Sequence, residues 1–166
     1  MQSNRSLYLG VVVLALAALT RVDVALADEA TGTVNYKGRT ATLKYAYLVK
    51  GPDEMDQETI IRRVILSQTD IAADIQACTT LGCCTNNLTE GMTVDLDAGP
   101  RLNYWVVLND QLVQYSGTEQ PTALEATQDE PGRVAGTLNI DDTEADGPKV
   151  EATFDAALLK EFEATH

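Results

Sequence analysis

The sequence predicts a mainly β protein: an antiparallel β-sandwich or open barrel with one short inserted helix over about 71–81. Three observations predict it. Short runs carrying apolar residues at every second position recur between Thr31 and Phe154. Turn-forming residues interrupt them about every ten positions, the spacing of small all-β domains. The third observation is the stretch 102–115, where two β-prone runs are joined by Asn109-Asp110 and read as a hairpin. With a two-residue loop, Val107 faces Leu112, Val106 faces Val113, Trp105 faces Gln114 and Tyr104 faces Tyr115. Side chains alternate across a strand, so Tyr104, Val106, Val113 and Tyr115 share one face, which belongs in a core. Trp105 and Gln114 share the other, the candidate ligand face. Asn-Asp is a poorer primed turn than Asn-Gly, so a longer loop is the alternative.

Residues 1–27 have the layout of a secretory signal peptide. Arg5 supplies a positive start, Leu7 to Leu19 an apolar stretch, and Ala25-Leu26-Ala27 the small residues a signal peptidase reads. The apolar run is short for a comfortable membrane span. No Cys follows it to carry a lipid. The expectation is export to the periplasm or beyond, with no stable membrane anchor after cleavage. One domain, 28–166, remains, long enough to bury a core.

Thr31 to Tyr36 is expected to be a strand, Lys37-Gly38-Arg39 a turn, and Ala41 to Lys50 a second strand. In the latter, Leu43, Tyr45, Tyr47 and Val49 alternate with Thr42, Lys44, Ala46 and Leu48. Gly51-Pro52 ends it, and an acidic segment follows with Asp53, Glu54, Asp56 and Glu58. Thr59 to Thr69 is rich in β-branched residues and predicts a strand. Arg62-Arg63 within it is assigned to ion pairing with nearby acids. Asp70 can cap a helix whose Ile71, Ala72, Ile75 and Cys78 fall on one face, with Gly82 at its end. Met92 to Ala98 alternates again, and Gly99-Pro100 turns the chain into the hairpin. Gln120 to Thr127 suits a short strand and Gln128 to Gly132 a loop. Gly132 to Ile140 alternates around Gly136, a candidate bulge. After the acidic turn 141–149 comes a last strand, Val150 to Phe154. Asp155 then suits the start of a short helix burying Leu158, Leu159 and Phe162, the alternative being an irregular tail.

The formal net charge is -13, and loss of residues 1–27 makes it -14, because Arg5, Arg21 and Asp23 leave together. Nucleic acid is excluded as a partner, since phosphate binding needs a basic surface. Cys78, Cys83 and Cys84 are the three cysteines. In an exported chain a disulfide is the default, joining Cys78 to Cys83 or to Cys84, with the third thiol left over. A zinc site would need four ligands, and the one His is His166, the last residue. The same scarcity removes Ser-His-Asp and Cys-His catalytic sets. Asp142, Glu144 and Asp146 ahead of Gly147 resemble the start of a calcium loop, but Thr153 stands where the closing Glu belongs. Calcium is therefore a weak possibility and no other cofactor is indicated. Asp95 and Asp97 share a strand face. Paired acids cleave glycosides, yet aromatics are only 5% of the chain, fewer than sugar clefts usually carry. Asn87-Leu88-Thr89 matches a glycosylation sequon, which matters only in a eukaryotic host.

The run Lys44 to Asp53, then Ile61 to Ser67, and the segment Gly136 to Phe154 with its Val-x-x-x-Phe ending, resemble a family of uncharacterised exported bacterial proteins. That resemblance implies a signal peptide followed by one β-rich domain. No activity or site residue comes with it. The functional expectation is a non-enzymatic periplasmic or secreted binding or envelope accessory protein, its partner an unidentified protein or small molecule. The alternative is a calcium- or cation-dependent binding module.

Overall fold

The computed structural model describes residues 28–109 and 113–163. The expected signal peptide, Leu112 and His166 lie outside them. Nine strands form one antiparallel sheet that curls into a half-barrel, with two short helices on its outer side. The strands are β1 (Glu29–Tyr36), β2 (Arg39–Pro52), β3 (Ile60–Ser67), β4 (Glu90–Asp95), β5 (Leu102–Leu108), β6 (Val113–Glu119), β7 (Leu124–Glu130), β8 (Arg133–Asp141) and β9 (Lys149–Glu161). Their order across the sheet is β6-β5-β4-β3-β2-β1-β9-β8-β7. Most neighbours are hairpin partners. The exception is β9, which crosses back to pair antiparallel with β1. β1 is short, so beyond it β2 meets β9 directly, in parallel, with Leu48 opposite Leu158 and Lys50 opposite Glu161.

Alternation divides the apolar residues between two cores. The inner face of the curl collects Val34, Leu43, Leu48, Val64, Leu66 and Met92, together with Tyr104, Leu138 and Phe154. The space among Val64, Val94, Leu124 and Phe154 has no room for a water molecule, so this interior is filled by side chains. The outer face of β2 and β3 presents Tyr47, Val49, Ile61 and Ile65 to the helices. β2 is therefore buried on both sides over its second half. The expectation of one buried face fails there because the helices cover the side that would otherwise meet water.

The helical segment is two helices rather than the single one expected over 71–81. They are α1 (Ala72–Ala77) and α2 (Leu81–Asn86). Cys78 is extended, with φ -63° and ψ 147°, and Thr80 begins α2 by accepting the Cys83 N–H. Gly82 thus sits in the first turn of α2 and not at a helix end. Asp70 does accept the Ala72 N–H, at 3.0 Å. The Tyr47 hydroxyl donates to Asp70 at 2.8 Å and accepts from the Ile71 N–H at 3.0 Å, anchoring the start of α1 to the sheet. The Lys160 ammonium donates to the Gln76 and Cys78 carbonyls at the other end, a favourable place for a cation because the carbonyls there lack helical partners.

The hairpin β5–β6 exists, but in another register. Val106 lies opposite Tyr115 and Val107 opposite Val113, around a bulge, so Trp105 faces Ser116 and Tyr104 faces Gly117. Without a Gly after Asn109, the tight primed turn is not favoured and the connection is longer. Tyr104 and Val106 are nonetheless fully buried in the inner core, with Tyr115 packed against them. β7 continues through 128–130, where a loop was expected, leaving Pro131-Gly132 as the turn. The bulge near Gly136 is present, but its extra residue is Thr127 on the facing strand. β9 runs on through 155–161, replacing the expected helix, because its backbone is paired with β8 and then with β2.

Arg62 fastens the rim of the half-barrel. Its guanidinium binds both oxygens of Asp97, at 2.7 and 2.9 Å, and reaches Asp129 of β7 at 2.6 Å. This contact crosses from β3 to the far edge of the sheet. The hydrogen bonds from Arg62 hold the Asp97 carboxyl below its ordinary 3.8, and the Ala72 N–H followed by the Tyr47 hydroxyl do the same for Asp70. A carboxyl depressed in the fold adds stability above its unfolded value, and that stability is lost as pH falls through the folded value. The melting temperature should therefore fall below about pH 4. Asp97→Asn should make that acid slope shallower, and an unchanged slope would show that this pair contributes nothing.

Candidate functional site

β3, β4 and β5 place one row of polar residues on the outer face. Arg63 pairs in register with Asp95, and Asp95 with Asn103. Trp105 follows two residues on, opposite Thr93. Alternation alone puts these side chains on the face opposite Val64, Val94 and Tyr104. α2 and the segment after β2 stand over the row, and a cleft of about 670 Å³ lies between them. Its floor is Arg63, Asp95, Asn103 and Trp105. Its walls are Thr85 and Asn86 of α2 and the acidic segment Asp53 to Asp56.

The floor is built on a buried ion pair. Arg63 is 3% exposed and Asp95 2%. The guanidinium meets the carboxylate through two parallel bonds, Nε to Oδ1 at 2.5 Å and Nη2 to Oδ2 at 2.9 Å. Its remaining nitrogen donates to Thr85 Oγ1 at 3.0 Å. Glu54 Oε2 stands 3.5 Å from the same nitrogen. The Trp105 ring lies over the guanidinium, 5.3 Å from Cζ to centroid. Burial pushes the Asp95 carboxyl upward, and Arg63 pulls against it. Such a pair gives little net stability relative to apolar packing, but it demands that both partners be present. Glu54 reaches the floor because Gly82 has no side chain. A Cβ there would fall 1.9 Å from a Glu54 carboxylate oxygen.

Of the candidate ligand face, Trp105 is the residue at the cleft. Trp105 lines the cleft, partly exposed. Gln114 is exposed on β6 and does not line it. Asp95 and Asp97 do not act as a carboxylate pair. Asp95 goes to Arg63 on the outer face and Asp97 to Arg62 at the rim. The assignment of both arginines to ion pairs matches the geometry, though Arg63 is far more deeply buried than a surface pair.

Asp142 and Asp146 flank a single 3-10 turn, Thr143–Ala145, which contains Glu144 and lies between β8 and β9. Asp142 turns inward and accepts a very short hydrogen bond from the Tyr104 hydroxyl. Glu144 and Asp146 point to solvent, Asp146 with left-handed φ of 56°. Among the described residues, no three His, Cys, Asp or Glu side chains converge as a metal site would require.

Cys78 and Cys83 form a disulfide, with Cα atoms 5.5 Å apart, tying the end of α1 to the start of α2. Of the two pairings open in the sequence, this one leaves Cys84, on the buried side of α2, as a free thiol. Burial pushes that thiol up to about 11, with Arg63 opposing. Because the thiolate is the reactive form, a disulfide-exchange reagent at pH 8 should label nothing in the native protein and Cys84 alone after unfolding. Rapid native labelling would overturn its burial. The Asn87 amide of the sequon donates to Cys78 Sγ at 3.3 Å and is half-buried.

No family model, no curated protein and no solved structure matches this chain. The functional argument therefore rests on the cleft. Of its residues, the sequence singled out Trp105, Arg63 and Asp95. It missed Asn103, Thr85, Asn86 and Glu54. The available signal was Arg63 itself, a charge between Ile61 and Ile65 on one side of β3, which requires a buried partner.

Proposed function

We propose that the protein is an exported binding protein, periplasmic or secreted, that holds a small polar ligand in the Trp105 cleft. The observation that carries this reading is the composition of the cleft. A partly exposed aromatic ring and the polar side chains of Asn103, Asn86 and Thr85 surround an ion pair already satisfied within the protein. Such sites fix a ligand by shape and a few directed polar groups. Turnover finds less support. Both Asp95 oxygens accept from Arg63, and a general base needs a free oxygen within reach of its substrate. Export is supported by the signal-like residues 1–27 and by the Cys78–Cys83 disulfide. Among the described residues no helix is long and apolar enough to cross a membrane.

Trp105 is the one tryptophan in the chain, so its indole N–H resonance reports on the cleft without assignment. A library of small acids, bases and neutral compounds should contain members that shift this resonance together with those of Asn103 and Asn86. Trp105→Ala should abolish their binding. If no compound moves these residues, the cleft is not a binding site.

A further inference from the structure

We propose that the ligand of this cleft is a small organic cation carrying a primary ammonium group. This deepens the binding reading and rests on it. Four acids line the cleft, Asp53, Glu54, Asp56 and Asp95, against one base, Arg63. Arg63 is committed to Asp95, and its remaining nitrogen is taken by Thr85 and approached by Glu54. Its positive charge is thus already balanced within the protein. Asp53 Oδ1 accepts the Met55 N–H, and the two Asp56 oxygens accept from Glu58 N–H and Thr59 Oγ1. These are bonds to neutral donors, which bring no positive charge to the rim. An entering ligand therefore meets a concave site whose lining acids outnumber its one base, which concentrates cations.

The floor decides between kinds of cation. A metal ion would need several carboxylates converging on one point, and among the described residues none do. An aromatic ring beside carboxylates suits an organic cation, because the ring face attracts positive charge while the alkyl stem packs on the apolar surface. Trp105 already holds one cation, the Arg63 guanidinium, in this manner. The side-chain carbonyls of Asn103 and Asn86 and the hydroxyl of Thr85 can accept from an ammonium with its three donors. A cleft of about 670 Å³ admits such a molecule whole. The same chemistry is offered by a free diamine and by the lysine side chain of a peptide.

The test titrates the full exported chain, 28–166, with 1,4-diaminobutane, a short lysine peptide, glutarate and calcium chloride, following the Trp105 indole resonance. Saturable shifts from either amine, absent with glutarate and calcium, are expected, and the tighter amine names the source. Glu54 is exposed on its loop, so Glu54→Gln should fold normally. It should weaken amine binding about tenfold, the loss expected for one ligand ion pair. Unchanged amine affinity in that variant would overturn the inference. So would saturable binding of glutarate or of calcium at Trp105, or a library whose binders are acids and neutral compounds only. The cleft would then remain a binding site with another ligand. Silence of Trp105 toward every compound would overturn both readings.

Discussion

Replacing Arg63 by methionine is expected to destabilise the protein by about 3–5 kcal/mol, the cost of stranding a buried charge. Asp95 would remain 2% exposed with neither of its guanidinium bonds. The isolated carboxylate would have to protonate or draw in water. The double variant Arg63→Met with Asp95→Leu should recover most of that loss, since apolar residues can replace a buried pair at little cost. Urea denaturation followed by far-ultraviolet circular dichroism measures both. The single variant should also acquire a pH dependence of known sign. Burial raises the Asp95 carboxyl, and without Arg63 nothing opposes it. A carboxyl raised in the fold is most favourable when protonated, so its contribution is present at low pH and lost as pH rises through the raised value. Arg63→Met should thus be less destabilised at pH 5 than at pH 8. A loss below about 1 kcal/mol at pH 8, the worth of an exposed pair, would show that the pair is not buried as described.

Tyr104→Ala should cost about 3–5 kcal/mol, the range for removing a large aromatic from a core. Tyr104 is fully buried on the inner face, where it stacks with Tyr115 at 5.9 Å between centroids. Its hydroxyl donates to Asp142, joining β5 to the turn between β8 and β9. Burial, and then this bond to a carboxylate, push the phenol well above its ordinary value of 10.0. Tyr104→Phe keeps the ring and removes the bond. It should cost about 1.5–3 kcal/mol, the value of a hydrogen bond to a charged group. Gly117 makes room for the ring, since a Cβ there would sit 2.6 Å from the hydroxyl. Gly117→Ala should therefore destabilise in the same direction. Chemical denaturation orders the three. Equal stability of Tyr104→Phe and the parent would dismiss the bond to Asp142 as a support of the fold.

Local pattern revealed a great deal of this chain. The runs around Leu43, Val94 and Leu138 have a period of two over enough residues that only strands bury them, and the run around Leu66 showed itself by its β-branched residues. Gly99-Pro100 lies between β4 and β5 as read, but Gly51 and Pro52 do not end β2: they stay in its ladder, opposite Ile61 and Ile60. The hairpin reading put Tyr104, Val106 and Tyr115 on the core face, as found, although its register was off by the length of a turn and Val113 pairs with Val107. Register depends on loop geometry, and Asn109-Asp110 does not specify one tight turn.

What failed to show was decided by contacts distant in sequence. Ala156-Ala157-Leu158-Leu159-Lys160-Glu161 consists of good helix formers. It is strand because β8 and β2 offer its backbone partners, and ladder bonds outweigh a propensity of a few tenths of a kcal/mol per residue. The helix over 71–81 split at Cys78, where the Cys78–Cys83 disulfide, the Thr80 cap and Lys160 define two ends. The cleft has the same origin. Arg63, Asp95 and Asn103 come from three strands, and Thr85 and Glu54 from segments on either side of β3.

By itself the sequence determined an acidic, mostly β chain, a disulfide within a short cysteine cluster, and the core face of its alternating strands. Composition and a period of two are properties of neighbouring residues, which is why they could be read directly. The tertiary structure alone decided which cysteine stays free, which way Asp142 turns, and that Trp105 stands over a paired charge at the floor of a cleft. Those outcomes depend on which strands become neighbours and what the helices cover, and the curl of the sheet fixes both.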